Sequence, residues 1–239
     1  MNRTVHSSKK SANLPKPAVQ PRAVSVASKK STTKGRTNDP VRTMAEILEV
    51  ATQEFAQKGL AGARIDEIAE RTRTSKRMIY YYFESKEGLY VRVLEEAYQR
   101  VRAIEAELHL GDLAPEQALR RLVEFTFDHH AGNEDYIRLV MGENINRAQF
   151  LMQSKSIQSL NVPALEAITR LYERGVQQGI FRKGLTALDI HATISALSFF
   201  NVGNRHTFGT IFKYDPSAKT AHAKRRTQVV ETVVRFVQL

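Results

Sequence analysis

The sequence predicts an all-α fold, and three observations carry that prediction. Apolar residues recur at helical spacing in each long segment after residue 40. Ser, Thr, Asp or Pro stands ahead of most of these segments and Gly behind several of them, as helix starts and stops require. No period-two alternation or hairpin turn signal marks a strand, and no internal repeat interrupts the pattern.

The elements follow in order. Asp39-Pro40 reads as an N-cap with Pro at the first helical position. Met44, Ile47, Leu48, Ala51 and Phe55 then share one face, and Gly59 is a stop, so the first helix is expected over 40–58. A short helix follows over 65–72 with Ile65, Ile68 and Ala69 inward. A third runs over 75–82, opened by Thr74 or Ser75, with Ile79 and Phe83 inward. Ser85 opens a longer one with Leu89, Val93, Leu94 and Ala97, ending near 107. Pro115 opens a segment to about 130 that places Leu119, Leu122, Val123 and Phe127 on one face. Another is expected over 134–153, carrying Ile137, Leu139 and Met141. Pro163 is expected in the first turn of a helix that ends at Gly179. Thr186 and Asp189 form a capping-box start for a helix to about Asn204. A last helix is expected over 218–238, with Val229, Val230, Val233, Phe236 and Val237.

Composition bounds the function. The chain has 239 residues, 42% of them hydrophobic, enough for one large or two small domains with a real core. It has no Cys, which excludes a disulfide framework, a thiolate metal site and a cysteine nucleophile, and fits a reducing compartment. No apolar run reaches the ~18 residues of a membrane span, and the basic N-terminus lacks the apolar core of a secretory signal. The net charge of +11 points to a polyanion or an anionic surface as partner. That charge is uneven. Residues 1–38 hold nine of the 36 cations and no acid, which leaves 27 cations against 25 anions for the rest. Without Ile, Phe, Tyr or Trp, residues 1–38 are expected to be a disordered basic tail. It serves either as an arm along DNA phosphates or as a solvated extension.

Residues 64–83 carry the functional signal: RIDEIAERTRTSKRMIYYYF. Two short helices meet at a tight turn, Ala69 is small enough for close approach, and Ile65, Ile68, Ile79 and Phe83 fill the angle. That is a helix-turn-helix, whose second helix enters the major groove. Arg71, Arg73, Lys76 and Arg77 put four cations within seven residues. Tyr80, Tyr81 and Tyr82 follow, with hydroxyls that can donate to phosphates and rings that can touch thymine methyls. Lys86 adds a cation beside a helix N-terminus that already favours a phosphate.

With these residues in place, the sequence resembles the TetR family of one-component regulators. The shared pattern is Phe55, Gly59, Ile68-Ala69, Ser75, Tyr80-Tyr81-Tyr82-Phe83 and Lys86-Glu87-Gly88-Leu89, across about residues 40–100. Two positions depart from it: Arg73 stands where a turn Gly is usual, and Arg64 where Thr or Ser usually caps. The resemblance implies a three-helix DNA-binding domain over 40–100 and a helical effector-binding and dimerisation domain over 101–239. It also implies a cytoplasmic homodimer on a double-stranded DNA operator, with no cofactor, no membrane and no enzymatic activity. Lys76, Arg77, Met78 and Tyr81 would face base edges; Arg64, Ser75, Tyr80, Tyr82 and Lys86 would hold the DNA backbone. A nucleoid-type DNA binder that relies on its basic tail is the alternative.

For a small-molecule effector, Phe127, Met141, Phe199 and Phe200 are candidate walls, with Asn144 and Asn204 to orient the ligand. The apolar stripes Ile190, Ile194, Leu197 and Val230, Val233, Val237 either form a four-helix dimer interface or fill the subunit's own core. Adjacent His129 and His130 point about 100° apart on a helix, so they read as a helix end favoured by the dipole and not as a metal site. No G-x-S-x-G, P-loop or H-E-x-x-H is present, and no acid–base cluster suggests catalysis.

Overall fold

The computed structural model describes residues 39–239; the basic tail expected over 1–38 lies outside them. Asp39 accepts from the backbone N–H groups of Val41 and Arg42, at 3.1 and 3.3 Å, and so starts α1 (Pro40–Gly62). Gly59 breaks that helix with φ 67° and ψ 172°, a backbone that favours glycine. After one more turn the chain enters α2 (Ile65–Thr72), α3 (Lys76–Phe83) and α4 (Lys86–Ala106). Ile47, Ala51, Phe55, Ile68, Ile79, Leu89 and Val93 are buried together and form the core of this head.

Helix α4 spans 21 residues, about 32 Å. Its first half is sealed into the head by Leu89, Tyr90, Val93 and Leu94. It continues unbroken past residue 100 into the body, where it packs against α7 (Lys155–Gln177).

The body adds α5 (Pro115–Gly132), α6 (Glu134–Ile145), α8 (Ala187–Gly203), α9 (Arg205–Phe212) and α10 (Lys219–Val237). Helix α5 packs on α8 and α10, while α6 packs on α1 and joins head to body. Leu119, Leu122, Val123, Phe127, Ile190, Ile194, Val233 and Val237 make the second core. Thr186 and Asp189 form the reciprocal capping box at the start of α8. Among the described residues the only β feature is a single antiparallel bridge between Phe181 and Gln238.

Three expectations are corrected. The segment 134–153 is not one helix: α6 stops at Ile145, and Arg147 and Ala148 turn left-handed at φ 57° and 58°. The cause is Glu143. Its buried carboxylate accepts from the backbone N–H groups of Phe150 and Leu151, at 3.2 and 2.8 Å, and folds the chain back. Second, Pro163 does not open its helix. Ser154 caps α7 two turns earlier, accepting from Ile157 N at 3.2 Å, and Pro163 sits inside. Third, a short helix, α9, follows Asn204, where none was expected. The stripes Ile190, Ile194 and Val230, Val233, Val237 turn out to be core of the subunit itself.

Candidate functional site

The turn between α2 and α3 is closed by the backbone. Arg73 is left-handed, at φ 52° and ψ 36°, and donates to Glu70 O; Thr74 donates to Ala69 O at 2.9 Å. A side chain in that conformation costs about 1–2 kcal/mol, which is why glycine is usual there. Ser75 then caps α3, its Oγ accepting from Met78 N at 3.3 Å. Arg64 supplies no side-chain cap to α2. Its own N–H is held instead by the buried carboxylate of Glu54 at 3.2 Å. Glu54 falls on the apolar face between Ala51 and Phe55, so its helical spacing was the available signal for a buried acid.

Helix α3 buries Ile79 and Phe83 and turns its other face out. Tyr81 is 76% exposed and Tyr80 44%. Arg77 is exposed, and no ion pair or hydrogen bond engages it among the described residues. Lys76 is exposed but pairs with Asp66 of α2, and that ammonium is the main cause of the lowered Asp66 carboxyl pKa. Met78 is half-buried at the edge of the face. Tyr82 turns away from it, half-buried against the head core with its ring 6.2 Å from that of Phe83.

The α3–α4 corner is fixed by close approach. Ser85 Oγ accepts from Gly88 N at 2.9 Å, and a Cβ at Gly88 would lie 2.2 Å from the carbonyl oxygen of Phe83. Only glycine fits there. Lys86 reaches back to Ala61 O at 3.4 Å, beside the N-terminus of α4. The result is a rigid wedge with Arg64, Arg73, Arg77, Tyr80 and Tyr81 exposed on it. An exposed face on which Arg73 and Arg77 have no ion pair among the described residues, Arg64 pairs only with exposed Asp66, and two tyrosine hydroxyls stand out suits a groove lined by phosphates and base edges.

The six expected effector residues do not come together. Phe127 and Phe200 line an open cavity of about 980 Å³ beside α9 and α10, walled by Phe208, Phe212 and Tyr214. Met141 borders a space of about 250 Å³ between head and body, near Phe55 and Tyr90. Asn144 is exposed and returns its amide to Val140 O at 3.0 Å. Asn204 is exposed at the junction of α8 and α9, where the one ends and the other starts.

Phe199 alone of the six faces a third cavity, of about 210 Å³, enclosed by α4, α5, α6, α7 and α8. This space holds an unusual set of side chains. Arg102 lines it, paired with Glu105 one turn on. His129, His130, His191, Tyr98 and Tyr136 line it too. Arg102 Nε, His129 Nδ1 and His130 Nδ1 are buried without a hydrogen-bond partner. Burial, aided by the neighbouring His129 and Arg102 charges, pushes His130 down to about 4. His129 and His191 are lowered by burial and by Arg102, and burial raises Glu105. Both adjacent histidines do stand in the last turn of α5, as the sequence suggests, but burial works against their charged forms there. Asp128 points elsewhere, gripping Arg226 with contacts of 2.8 and 2.9 Å. The signal for the cavity was a spacing of three and four residues: Tyr98, Arg102, Glu105 on α4 and His191, Ser195, Phe199 on α8.

Comparison with known proteins agrees with this architecture. Residues 47–93 match the family described as bacterial regulatory proteins, tetR family. Residues 115–233 match the tetracyclin repressor-like C-terminal domain. The chain is 32% identical to the HTH-type transcriptional repressor NicS of Pseudomonas putida over 194 residues, 81% of this chain and 92% of that one. A tetR-family regulatory protein from Rhodococcus RHA1 shares the fold, with a TM-score of 0.64 at 22% identity, covering 82% of this chain and 97% of its own. So does the ketosteroid transcriptional regulator KstR2 of Mycobacterium tuberculosis, at a TM-score of 0.62 and 19% identity over 86% and 98% of the two chains. The chain belongs to the TetR family of DNA-binding transcriptional regulators.

Proposed function

We propose that the chain is a repressor that binds a palindromic operator as a homodimer and leaves it when a small effector fills the enclosed cavity. The observation that carries this reading is the course of α4. One unbroken helix is locked into the head by Leu89 to Leu94 and reaches the cavity with Tyr98, Arg102 and Glu105. A ligand that repositions the far end of such a helix tilts the head it is fixed to. Coupling of about 1–3 kcal/mol changes operator affinity about 5–150-fold.

Lys76, Arg77, Met78 and Tyr81 are assigned to base edges, with Arg64, Ser75, Tyr80 and Lys86 on the DNA backbone. Tyr82 supports α3 from behind. For the dimer, the supporting feature is the outer face of α8. Leu188, Ala192, Ala196 and Phe200 form an exposed apolar stripe at a spacing of four, on a helix whose other side is already core. An apolar stripe left in water on a helix already packed on its other side is a surface suited to a protein partner, and a second copy of α8 would cover it. Two recognition helices then lie one DNA turn apart, about 34–36 Å.

The test is selection of bound sites from random duplex DNA by the full chain, together with sedimentation. Selected sites are expected to be inverted repeats with half-sites one turn apart. Ala196→Arg is expected to yield monomers that bind those sites at least about tenfold more weakly. Selected sites without two-fold symmetry, or a wild-type monomer, would sink the reading.

A further inference from the structure

The same cavity also says what it is built to hold, given the reading of it as the effector site. We propose that the effector is a small, single-ring aromatic carboxylate whose carboxylate takes the place of Glu105 on the Arg102 guanidinium.

Size comes first. About 210 Å³ is room for roughly seven waters at liquid density, which suits a guest of about one ring with small substituents better than a large polycycle. Shape comes next. Rings stand around the space in a cage: His129 and Tyr136 at 5.5 Å, His130 and Tyr136 at 6.1 Å, and His130 and Phe199 at 6.5 Å and perpendicular. Tyr98 and Tyr136 add a further edge contact at 5.6 Å. At these separations the rings pack on one another, and the aromatic faces and edges they leave toward the space suit a flat aromatic guest better than an aliphatic one.

Charge decides the rest. Arg102 is a permanent cation in a site largely sealed from water, with its Nε donor unfilled. Its guanidinium matches a carboxylate with two parallel hydrogen bonds. Its present partner, Glu105, is only three residues away on the same helix, and burial favours the protonated form of that acid. Glu105 also borders a wider groove of about 970 Å³ between α4 and α7, as does Arg102. The pair thus stands at the divide between an open groove and the closed cavity. A monoanion arriving through the groove can take over Arg102 while Glu105 turns outward or takes up a proton, and the buried charge stays balanced. A dianion would leave one charge uncompensated at high cost. The free Nδ1 atoms of neutral His129 and His130 remain for a ring hydroxyl or ring nitrogen.

The probes are benzoate, 2-hydroxybenzoate, and their amides, titrated into the full chain by calorimetry with the histidine ring resonances followed by NMR. In the wild-type chain each acid is expected to bind at least about tenfold more tightly than its amide. In Arg102→Gln that ratio is expected to fall to about one. Amides that bind as tightly as the acids, or an acid preference retained in Arg102→Gln, would overturn the carboxylate assignment. The wild-type comparison needs no variant, so a misfolded Arg102→Gln chain leaves it intact. Acids that bind without moving the His129, His130 and His191 resonances would instead overturn the cavity as the effector site. No binding by any of the four compounds overturns the aromatic carboxylate, while the cavity as effector site stands or falls on the histidine resonances.

Discussion

The head and the body use the same residue types in opposite ways. On α3, Arg77, Tyr80 and Tyr81 hold their polar atoms in solvent on a wedge whose core is complete without them. In the body, Arg102, Tyr98 and Tyr136 line an interior space together with His129 and His130, whose Nδ1 atoms have no protein partner. An exposed polar group without a partner costs nothing, because water satisfies it. A buried one costs about 1–3 kcal/mol until something arrives to bond it. The head is therefore stable while idle and gains by meeting a large charged surface. The body turns polar atoms that have no protein partner toward a cavity, where a small ligand can bond them.

The sharpest way to break that contrast is to strip the head's outer face. Arg77→Ala combined with Tyr81→Ala removes two exposed side chains that no core residue needs. Operator affinity, read by fluorescence anisotropy, is expected to drop by at least about 100-fold, since each good base contact contributes about 1–3 kcal/mol. The melting temperature is expected to stay within about 2 °C, as surface changes stay within about 0.5 kcal/mol. A loss of stability equal to the loss of binding would mean that the face is structural after all.

Buried polar groups should behave in the reverse manner. Glu143 is 2% exposed and holds Phe150 N and Leu151 N. Glu143→Ala leaves those half-buried donors without their acceptor, at about 3 kcal/mol. For a chain of this length that lowers the melting temperature by about 6–12 °C. Glu143→Gln keeps a carbonyl acceptor in place and should cost clearly less. Equal losses in the two variants would show that the carboxylate is not what folds the 146–153 segment back.

The cavity histidines set a pH dependence of similar size. His130 has its pKa pushed down to about 4, against an ordinary 6.5, and His129 and His191 are shifted the same way. The unfolded chain therefore takes up protons at a higher pH than the folded one. The stability tied to His130 is full above about pH 6.5 and declines as pH falls toward 4. Its total is on the order of 3 kcal/mol. Glu105, raised by burial, works in the opposite sense, while Arg102 keeps its charge throughout. Thermal unfolding at pH 7 and pH 4.5 is expected to show a smaller drop in His130→Phe than in the wild-type chain. Parallel drops in the two proteins would exclude His130 as the proton-linked group.

The contrast also explains what could be read in advance. Head residues announce themselves because each role has a local signature: Asp39-Pro40 starts a helix, and Ser75 and Ser85 cap the next ones; the need for Gly88, set by the Phe83 carbonyl, shows only in the structure. All of these act within a few residues along the chain. The body's cavity is assembled from five helices, and nothing in the neighbourhood of Arg102 in sequence reveals that His130 and His191 will face it. Its polar residues were hidden in apolar helices, so Phe127 and Phe200 were grouped with Phe199, though they face another space. Asn144 and Asn204 stand out in the sequence as isolated amides, yet Asn144 bonds back to Val140 O within its own helix and Asn204 is exposed to water at the α8–α9 junction. Capture of backbone groups seven and eight residues ahead by Glu143 likewise overrides a helical pattern that looks continuous through 153.

The smallest expected effect lies where the head itself departs from the local rules. Arg73 occupies a left-handed turn, a conformation that glycine adopts without strain. Arg73→Gly relieves about 1 kcal/mol of backbone strain, partly offset by the greater freedom of glycine in the unfolded chain. The melting temperature should rise by up to about 2–4 °C. The same change removes an exposed cation at the mouth of the helix-turn-helix. If the side chain meets a phosphate, the salt dependence of operator binding should weaken by about one unit of slope, with base preference unchanged. A more stable variant with weaker, less salt-sensitive binding would show that Arg73 is kept at the expense of the turn because it touches DNA. A more stable variant with unaltered salt dependence would leave the arginine without a part in binding and move the phosphate contacts to Arg64, Tyr80 and Lys86.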